Sequence, residues 1–354
     1  WHCGDQADFL PTNHGFDHYL GLPYSNDMGR QADKPDLLPE MPPLPLLIDG
    51  EVVEQQPDQS SLTDRYVAAA VDFMRSCDDQ PFFLYLAHMY VHVPIYVRQA
   101  FAEMSTNGPY GAAVASIDWA TDVILGELDA RGIADDTIVI FTSDNGSLGD
   151  NPPPWGSPEP LGGSNDPLRG TKGQTWEGGQ RVPGIVRWPN RIDPGRTSDE
   201  VVTAMDLYPT LAAVCGADVP TDRVIDGRDI SALWFGDCPS PHEAFYYYWM
   251  NDLEAVRAGQ WKLHFAKHGK ERRALYDLDA DIGETTDLID ARPDVVDTLE
   301  ELAERARQAL GDARLERIGS EVRPIGRVEN PTPLTRYDPD HPYVVAEYDL
   351  PDRG

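Results

Sequence analysis

Lysine is scarce in this 354-residue chain, occurring only at Lys34, Lys172, Lys262, Lys267 and Lys270. Lys and Arg together number 29 against 60 Asp and Glu, a net charge of −31 at pH 7. So acidic a surface repels nucleic acid and anionic membranes, which argues against both as partners. It is also what proteins working in high salt carry, with drift in a GC-rich genome as an equal alternative. No run approaches the ~20 apolar residues of a membrane span, so none is expected. The opening WHCGDQADFLPTNHGFDHY has no basic segment leading into an apolar core, so no signal peptide is visible. The four cysteines, Cys3, Cys77, Cys215 and Cys238, form no C-x-x-C pair and no zinc spacing. Structural or incidental thiols are expected, with one disulfide left open.

What remains is ordinary for an enzyme. Apolar residues make up 41% and charged residues 25%, enough for a sizeable core in one large domain or two modest ones. Residues 40–59, rich in Pro and acid, read as a long surface loop. Val67, Ala70, Val71 and Met74 share a helix face behind Thr63 as N-cap. The apolar run from Phe82 to Ala87 after Pro81 reads as a buried strand. Val114, Ile117, Ala120, Ile124 and Leu128 recur at helical spacing, and Gly132 is placed to stop that helix. Thr137–Thr142 is β-branched and aromatic, a second buried strand. Helix then strand, twice over, predicts an α/β domain with a largely parallel sheet. GIVRW (184–188) adds a strand, and MDLYPTLAAVCG adds a helix from Asp206 to Gly216.

After about residue 235 strands follow closely: AFYYYW, AVRAGQWKLHF and ALYDLD. Trp261, Leu263 and Phe265 alternate with Lys262 and His264, the pattern of a half-exposed antiparallel strand. A helix from Pro293 to Gly311 carries Val295, Leu299, Leu302, Ala306 and Leu310. The expected domains are 1–235, a small α+β subdomain at 236–317 with antiparallel strands and one helix, and an extended tail at 318–354.

Three stretches carry chemistry. In FTSDNG a strand ends on Asp144 and Asn145, and ligand sites in α/β folds gather at such ends. A carboxylate beside an amide oxygen suits Ca²⁺ or Mg²⁺, although Asp-Asn-Gly is also simply a good turn. Asn145-Gly146-Ser147 is a glycosylation sequon ill placed for use at a strand end. In LRGTKGQTWEGG, Lys172 lies between Gly170 and Gly173, where open backbone amides and one ammonium suit an anion; a solvated loop lysine is the plainer alternative. In AHMYVHVPIY, His88 and His92 follow the expected strand, and a histidine there suits general acid or anion-donor work, though such histidines are often structural. Asp277, Asp279 and Asp281 imitate an EF-hand, but Gly283 falls one place late and Leu288 replaces the closing Glu; a surface turn is expected.

The order and wording of the blocks are more telling than any one of them. WHCGDQADFLPTNHGFDHYLGLPYSNDM, PFFLYLAHMYVHVP, TIVIFTSDNG, LRGTKGQTWEGGQRVPGIVRWP, MDLYPTL, IDGRDISALW and LYDLDADIGETTDL together resemble the type I, formylglycine-dependent sulfatases. These are arylsulfatase A-like members of the alkaline phosphatase superfamily, and the resemblance runs from residue 1 to about 335. It implies an alkaline-phosphatase-like sheet flanked by helices, hydrolysis of sulfate esters, a Ca²⁺ or Mg²⁺ ion, and a formylglycine made from the Cys of C-x-P-S-R. It implies Asp144 and Asn145 as metal ligands and Lys172 as the cation on the sulfate oxygens. His92, in H-x-P, would contact sulfate and protonate the leaving oxygen; His2, in the family's K-W-H, would help regenerate the aldehyde. Sulfated small molecules or sulfated carbohydrates are the implied substrates, and a periplasmic or secreted parent the implied setting.

The departures are equally specific. No cysteine here is followed by x-P-S-R; Cys238-Pro-Ser-Pro-His comes nearest. The paired N-terminal aspartates and first active-site lysine of the family are also missing. The expectation is a chain that lacks the nucleophile segment and is inactive alone. Cys3 stands where the family has Leu and is taken as a packing residue. Two alternatives stay open: a phosphonate or phosphodiester hydrolase of the same superfamily, and a non-catalytic protein binding cations or sulfated glycans.

Overall fold

The computed structural model describes residues 1–29, 41–149 and 162–341. The chain divides into two compact units: residues 1–133 with the tail from 326, and residues 134–325.

In the first unit, β1 (Leu20–Gly21), β2 (Pro45–Ile48) and β3 (Glu51–Gln55) form an antiparallel ladder. The stretch expected to be a loop is therefore a hairpin. Its signal is Asp49-Gly50, both with positive φ (50° and 105°), the pair that two-residue hairpin turns demand. Helix α1 (Leu62–Ser76) starts one residue before Thr63, which is buried inside its first turn. Its N-cap position is Ser61, with no side-chain cap bond, while the Asp58 carboxylate caps the preceding 3-10 turn Gln59–Ser61, accepting from the Ser60 amide at 2.9 Å. Helix α2 (Gln99–Met104) and helix α3 (Gly108–Ala130) follow, and Gly132 stops α3 at φ 68°. Arg75 on α1 grips Glu127 on α3 through two bonds of 3.0 and 2.7 Å. The tail returns to this unit, with Gln6 and Thr332 exchanging two hydrogen bonds.

Residues 82–87 are not a strand. Phe82 packs edge-on against Phe73 of α1, and Leu86 joins the cluster of Leu22, Leu44, Leu46, Leu62 and Tyr66. Phe83 and Tyr85 alternate outward, 61% and 60% exposed. An apolar run fixes burial but not a ladder, and here one face is covered by a helix with no strand paired to it among the described residues.

The second unit opens with β4 (Val139–Thr142). Helix α4 (Glu177–Gln180) precedes β5 (Gly184–Arg187), which pairs antiparallel with β4. Helix α5 (Leu207–Cys215) ends on Gly216 in the left-handed region, as its sequence requires. Asp206 closes a capping box with Thr203 in the turn before α5 and also receives His242 Nε2 at 2.8 Å. After α6 (Ser231–Phe235), strands β6 (Phe245–Trp249), β7 (Asp252–Ala258), β8 (Trp261–Lys267) and β9 (Lys270–Asp277) form an antiparallel meander. Every ladder among the described residues is antiparallel, so the expected parallel pairing does not occur among them.

Helix α7 (Pro293–Ala309) covers one face of the meander, Val296, Leu299, Leu302, Ala303 and Ala306 meeting Leu253, Val256, Leu263, Phe265 and Leu275. Each leucine so buried contributes about 1.5–3 kcal/mol. The opposite face was expected to be wet. Instead Lys262 and His264 are fully buried there, because the segment around Trp176 and Glu177 lies over them and supplies charged partners. In the triple-aspartate turn Asp281 accepts from the amides of Thr285 and Thr286 at 2.7 Å each.

Candidate active site

Strand β4 delivers Asp144 and Asn145 to its exit, Asp144 exposed and Asn145 half-buried. Asn145 Nδ2 donates to the Asp144 carboxylate. The other Asp144 carboxylate oxygen accepts from the Ser143 hydroxyl at 3.4 Å. Behind them the chain is knotted by glycines, for steric reasons. A Cβ on Gly146 would lie 1.8 Å from the Gly178 carbonyl oxygen, and one on Gly178 would lie 2.4 Å from that of Gly170. Backbone therefore rests directly on backbone, and only Gly permits it.

This knot carries Lys172. Its amide donates to the Ser147 carbonyl at 3.0 Å. Asn165 staples the two loops, accepting from the Ser147 amide and donating to the Ser147 and Gly170 carbonyls at 2.9, 2.9 and 3.1 Å. Asn165 was not anticipated, because an Asn in a Gly/Pro loop reads as a turn residue. Asp144, Asn145 and Lys172 are thus gathered into one loop cluster of the second unit.

His2 and His92 belong to the first unit. His2 is exposed, at φ 65°, its amide bonded to the Pro23 carbonyl at 2.9 Å. His92 Nδ1 sits 2.6 Å from the Val93 carbonyl oxygen. A carbonyl only accepts, so Nδ1 carries the proton and Nε2 is left for other work. His88 differs: burial pushes its pKa down, and its buried Nδ1 has no partner among the described residues.

The Lys172 segment is anchored by a buried ionic cluster. Glu177, 0% exposed, accepts from Lys262 Nζ at 2.8 Å, Tyr247 Oη at 2.7 Å and Arg257 at 3.1 Å. Lys262 Nζ also meets Glu284 at 3.0 Å and the Thr175 carbonyl at 2.8 Å. Glu284 receives His264 Nε2 at 2.9 Å and the Glu177 amide at 2.8 Å. Burial raises both carboxyl pKa values, but Lys262 and the hydrogen bonds outweigh it and hold both below the usual range. Burial pushes His264 the other way, to about 4, despite its bond to Glu284. None of this was legible in advance, since the alternation of β8 reads identically whether its polar face meets water or buried carboxylates.

As donors, Asp144 and Asn145 fit a hard divalent cation and supply two of the six to eight oxygens such ions take. Among the described residues no group of three or more His, Cys, Asp or Glu converges on one point. All four cysteines are free, and Cys3 is exposed rather than packed.

Residues 1–217 match the family model described as Sulfatase. The chain belongs to the sulfatase family. Residues 171–310 also match the model for the C-terminal part of N-sulphoglucosamine sulphohydrolase. Human arylsulfatase A is 35% identical over 349 residues, covering 85% of this chain and 66% of that protein. Rat steryl-sulfatase is 44% identical over 220 residues, 62% of this chain and 37% of that one. The chain thus spans less than two thirds of the length of either relative. A crystal structure of Ps i-CgsB in complex with k-i-k-neocarrahexaose superposes at TM-score 0.71 with 27% identity, covering 86% of this chain and 69% of that one. The PsFucS1 sulfatase from Pseudoalteromonas sp. reaches TM-score 0.76 at 24% identity over 86% of this chain and 68% of that one, a likeness of fold. The fold is that of the sulfatases, α/β with a small C-terminal antiparallel sheet.

Proposed function

We propose that this chain supplies the cation-binding and sulfate-binding part of a sulfate ester hydrolase. The observation that carries the reading is the stapling of the Asp144–Asn145 strand end to the Lys172 turn, within residues that match the Sulfatase model. The relatives named above are sulfatases, which favours sulfate over phosphonate or phosphodiester esters. Residues 1–235 would be catalytic scaffold and 236–317 the subdomain that backs the Lys172 turn.

Sulfuryl transfer spreads negative charge over the equatorial oxygens and builds more on the leaving oxygen. The ammonium of Lys172 neutralises both. His92, its Nδ1 proton committed to Val93, donates from Nε2 only as the imidazolium, which would hold sulfate or hand that second proton to the leaving oxygen. His2 serves the step that restores the resting site. Asp144 and Asn145 hold the metal, Ca²⁺ in this proposal with Mg²⁺ as the alternative, which when bound stabilises charge on sulfate oxygens as a Lewis acid. Formylglycine would supply the nucleophile in the family's chemistry, and this sequence contains no C-x-P-S-R to carry it. The substrate would be a sulfated small molecule or a sulfated carbohydrate; neocarrahexaose in the Ps i-CgsB complex supports the second. Export of the parent belongs to the same proposal; among the described residues no helix is long and apolar enough to cross a membrane.

The test is equilibrium binding of p-nitrophenyl sulfate with Ca²⁺, with Mg²⁺ and with chelator. Cation-dependent binding that Asp144→Ala and Lys172→Ala each abolish is expected. Binding that survives both substitutions, or a preference for p-nitrophenyl phosphate, overturns the reading.

A further inference from the structure

Three cations converge on one indole. The Arg169 guanidinium lies 3.9 Å from the Trp176 ring centroid, Lys267 Nζ 5.0 Å and the Arg272 guanidinium 5.1 Å. Two are half-buried and Arg272 is exposed. In a chain with twice as many acids as bases, cations normally find carboxylates. Here, among the described residues, none of the three forms an ion pair: Arg169 donates to the Glu284 backbone carbonyl at 2.7 Å, Lys267 to the Thr175 hydroxyl at 3.1 Å, and Arg272 to the Tyr276 hydroxyl at 3.5 Å.

The carboxylates of this region are already engaged. Glu254 accepts from the Thr175 hydroxyl and the Gly269 amide, Glu284 from Lys262 and His264, and Asp281 from Thr285 and Thr286. Desolvation chiefly, with Lys262 and Arg169 adding to it, lowers the Lys267 pKa to about 8 although Glu254 and Glu284 oppose it. Holding like charges this close is unfavourable unless something offsets it. The indole face offsets part, and an anion would offset the rest.

The sequence places the cluster beside the proposed sulfate site. Arg169 and Trp176 flank Lys172 on one turn, and Trp176 packs on Ala274, Tyr276 and Leu278, the face of β9 that Arg272 shares.

We propose that Arg169, Lys267 and Arg272 around Trp176 form an accessory subsite for a second anionic group, a sulfate or carboxylate, on an extended sugar substrate. For the identity of its ligand this rests on the sulfatase reading; its test does not require turnover. Arg169 is tied to the fold by its backbone bond, so Lys267 and Arg272 are the residues that grip the ligand. Substrates carrying one sulfate and no other charge would use the Lys172 turn alone.

The experiment is calorimetric titration of the full chain with a sulfated galactan hexasaccharide, its desulfated counterpart, a uronate-containing unsulfated hexasaccharide, and inorganic sulfate. Each lost charged contact should cost about tenfold or more in affinity. Arg272→Ser and Lys267→Ala should each weaken the charged hexasaccharides by that factor, with Arg272→Lys recovering most of it. Lys270→Ala, on the same hairpin but away from the indole, is the control. The uronate and sulfated sugars distinguish the two sources of negative charge. Unchanged affinity in both variants overturns the subsite, as does equal binding of the desulfated sugar, or no hexasaccharide binding by the parent chain. Loss of p-nitrophenyl sulfate binding in Lys172→Ala with hexasaccharide binding retained separates this subsite from the sulfate site itself.

Discussion

Replacing Lys262 by Met tests the ionic anchor directly. Met matches the Lys stem as far as Cε and removes the ammonium. Lys262 is 0% exposed and touches Glu177 at 2.8 Å, Glu284 at 3.0 Å and the Thr175 carbonyl at 2.8 Å. Without it, Glu177 keeps Arg257 at 3.1 Å, the more distant Arg181 at 4.0 Å and the Tyr247 hydroxyl, and Glu284 keeps His264 at 2.9 Å and the Glu177 amide. Removing one partner from a buried ion cluster leaves uncompensated charge and costs roughly 3–5 kcal/mol. That is a large share of a typical ~5–15 kcal/mol of total stability. Adding Glu177→Gln to the same chain removes one stranded carboxylate and should recover part of the loss, a coupling of about 0.5–3 kcal/mol. Arg223→Ala, which breaks an exposed pair with Asp222, should cost less than about 1 kcal/mol. Urea unfolding at pH 7 of the parent, Lys262→Met, Glu177→Gln, their combination and Arg223→Ala gives all the values. If Lys262→Met loses no more than Arg223→Ala, the cluster is not an anchor and the reasoning fails.

His264 sets a pH dependence. Its folded pKa of about 4 lies below the ordinary ~6.5, so as pH falls from 6.5 the unfolded chain takes up the proton first. Stability is full above pH 6.5 and falls by roughly 2 kcal/mol by pH 5, before the depressed carboxylates begin to contribute. His264→Gln should flatten most of that slope, leaving the His88 share; an unchanged slope in unfolding midpoints would count against the assignment. Gly178→Ala drives a Cβ to within 2.4 Å of a backbone oxygen and should cost about 1–3 kcal/mol or more by thermal unfolding, whereas Gly184→Ala meets nothing within 4 Å and should cost little; equal effects would refute the backbone knot. Lacking C-x-P-S-R, the chain alone should not hydrolyse p-nitrophenyl sulfate with Ca²⁺, because the covalent route is missing; turnover at an enzymatic rate would disprove that.

Helices were legible where a single apolar stripe decides them. The stripes of α1 and α7 have the spacing that their packing uses, whereas on α3 Ala112, Ala113, Ser116, Ala120 and Leu128 are buried and Val114, expected on the buried face, is 45% exposed; the stop glycines Gly132 and Gly216 adopt the positive φ expected of them. An apolar run became a strand only where the fold supplies a partner strand. Val139–Thr142 found Gly184–Arg187, while Phe82–Ala87, just as apolar, found a helix face instead. The β2–β3 hairpin lies in a proline-rich stretch whose composition is that of a loop, although Asp49-Gly50 carries its turn signal. Within the site, Asp144, Asn145 and Lys172 were legible from strand ends and glycines. Asn165, Glu177 and Glu284 were not, since their work is done across 18 to 107 residues of chain.

Arg272 and Arg273 show why charge composition alone misleads. They are neighbours on β9, and alternation sends them to opposite faces. Arg273 is neutralised by Glu300 of α7; Arg272 stands over Trp176 without a carboxylate. A net charge of −31 opposes any anionic ligand at long range, but at physiological salt that field is screened beyond about 8 Å. Inside that distance only the local arrangement counts. Three of the five lysines fall between residues 262 and 270. One of them, Lys262, is spent on Glu177 and Glu284, and Lys267, half-buried against the Thr175 hydroxyl, stands with Arg272 at the indole of Trp176. An acidic chain can therefore hold an anion here without a basic surface anywhere else, and its affinity for a multiply charged sugar should depend on these few side chains far more than on its overall charge.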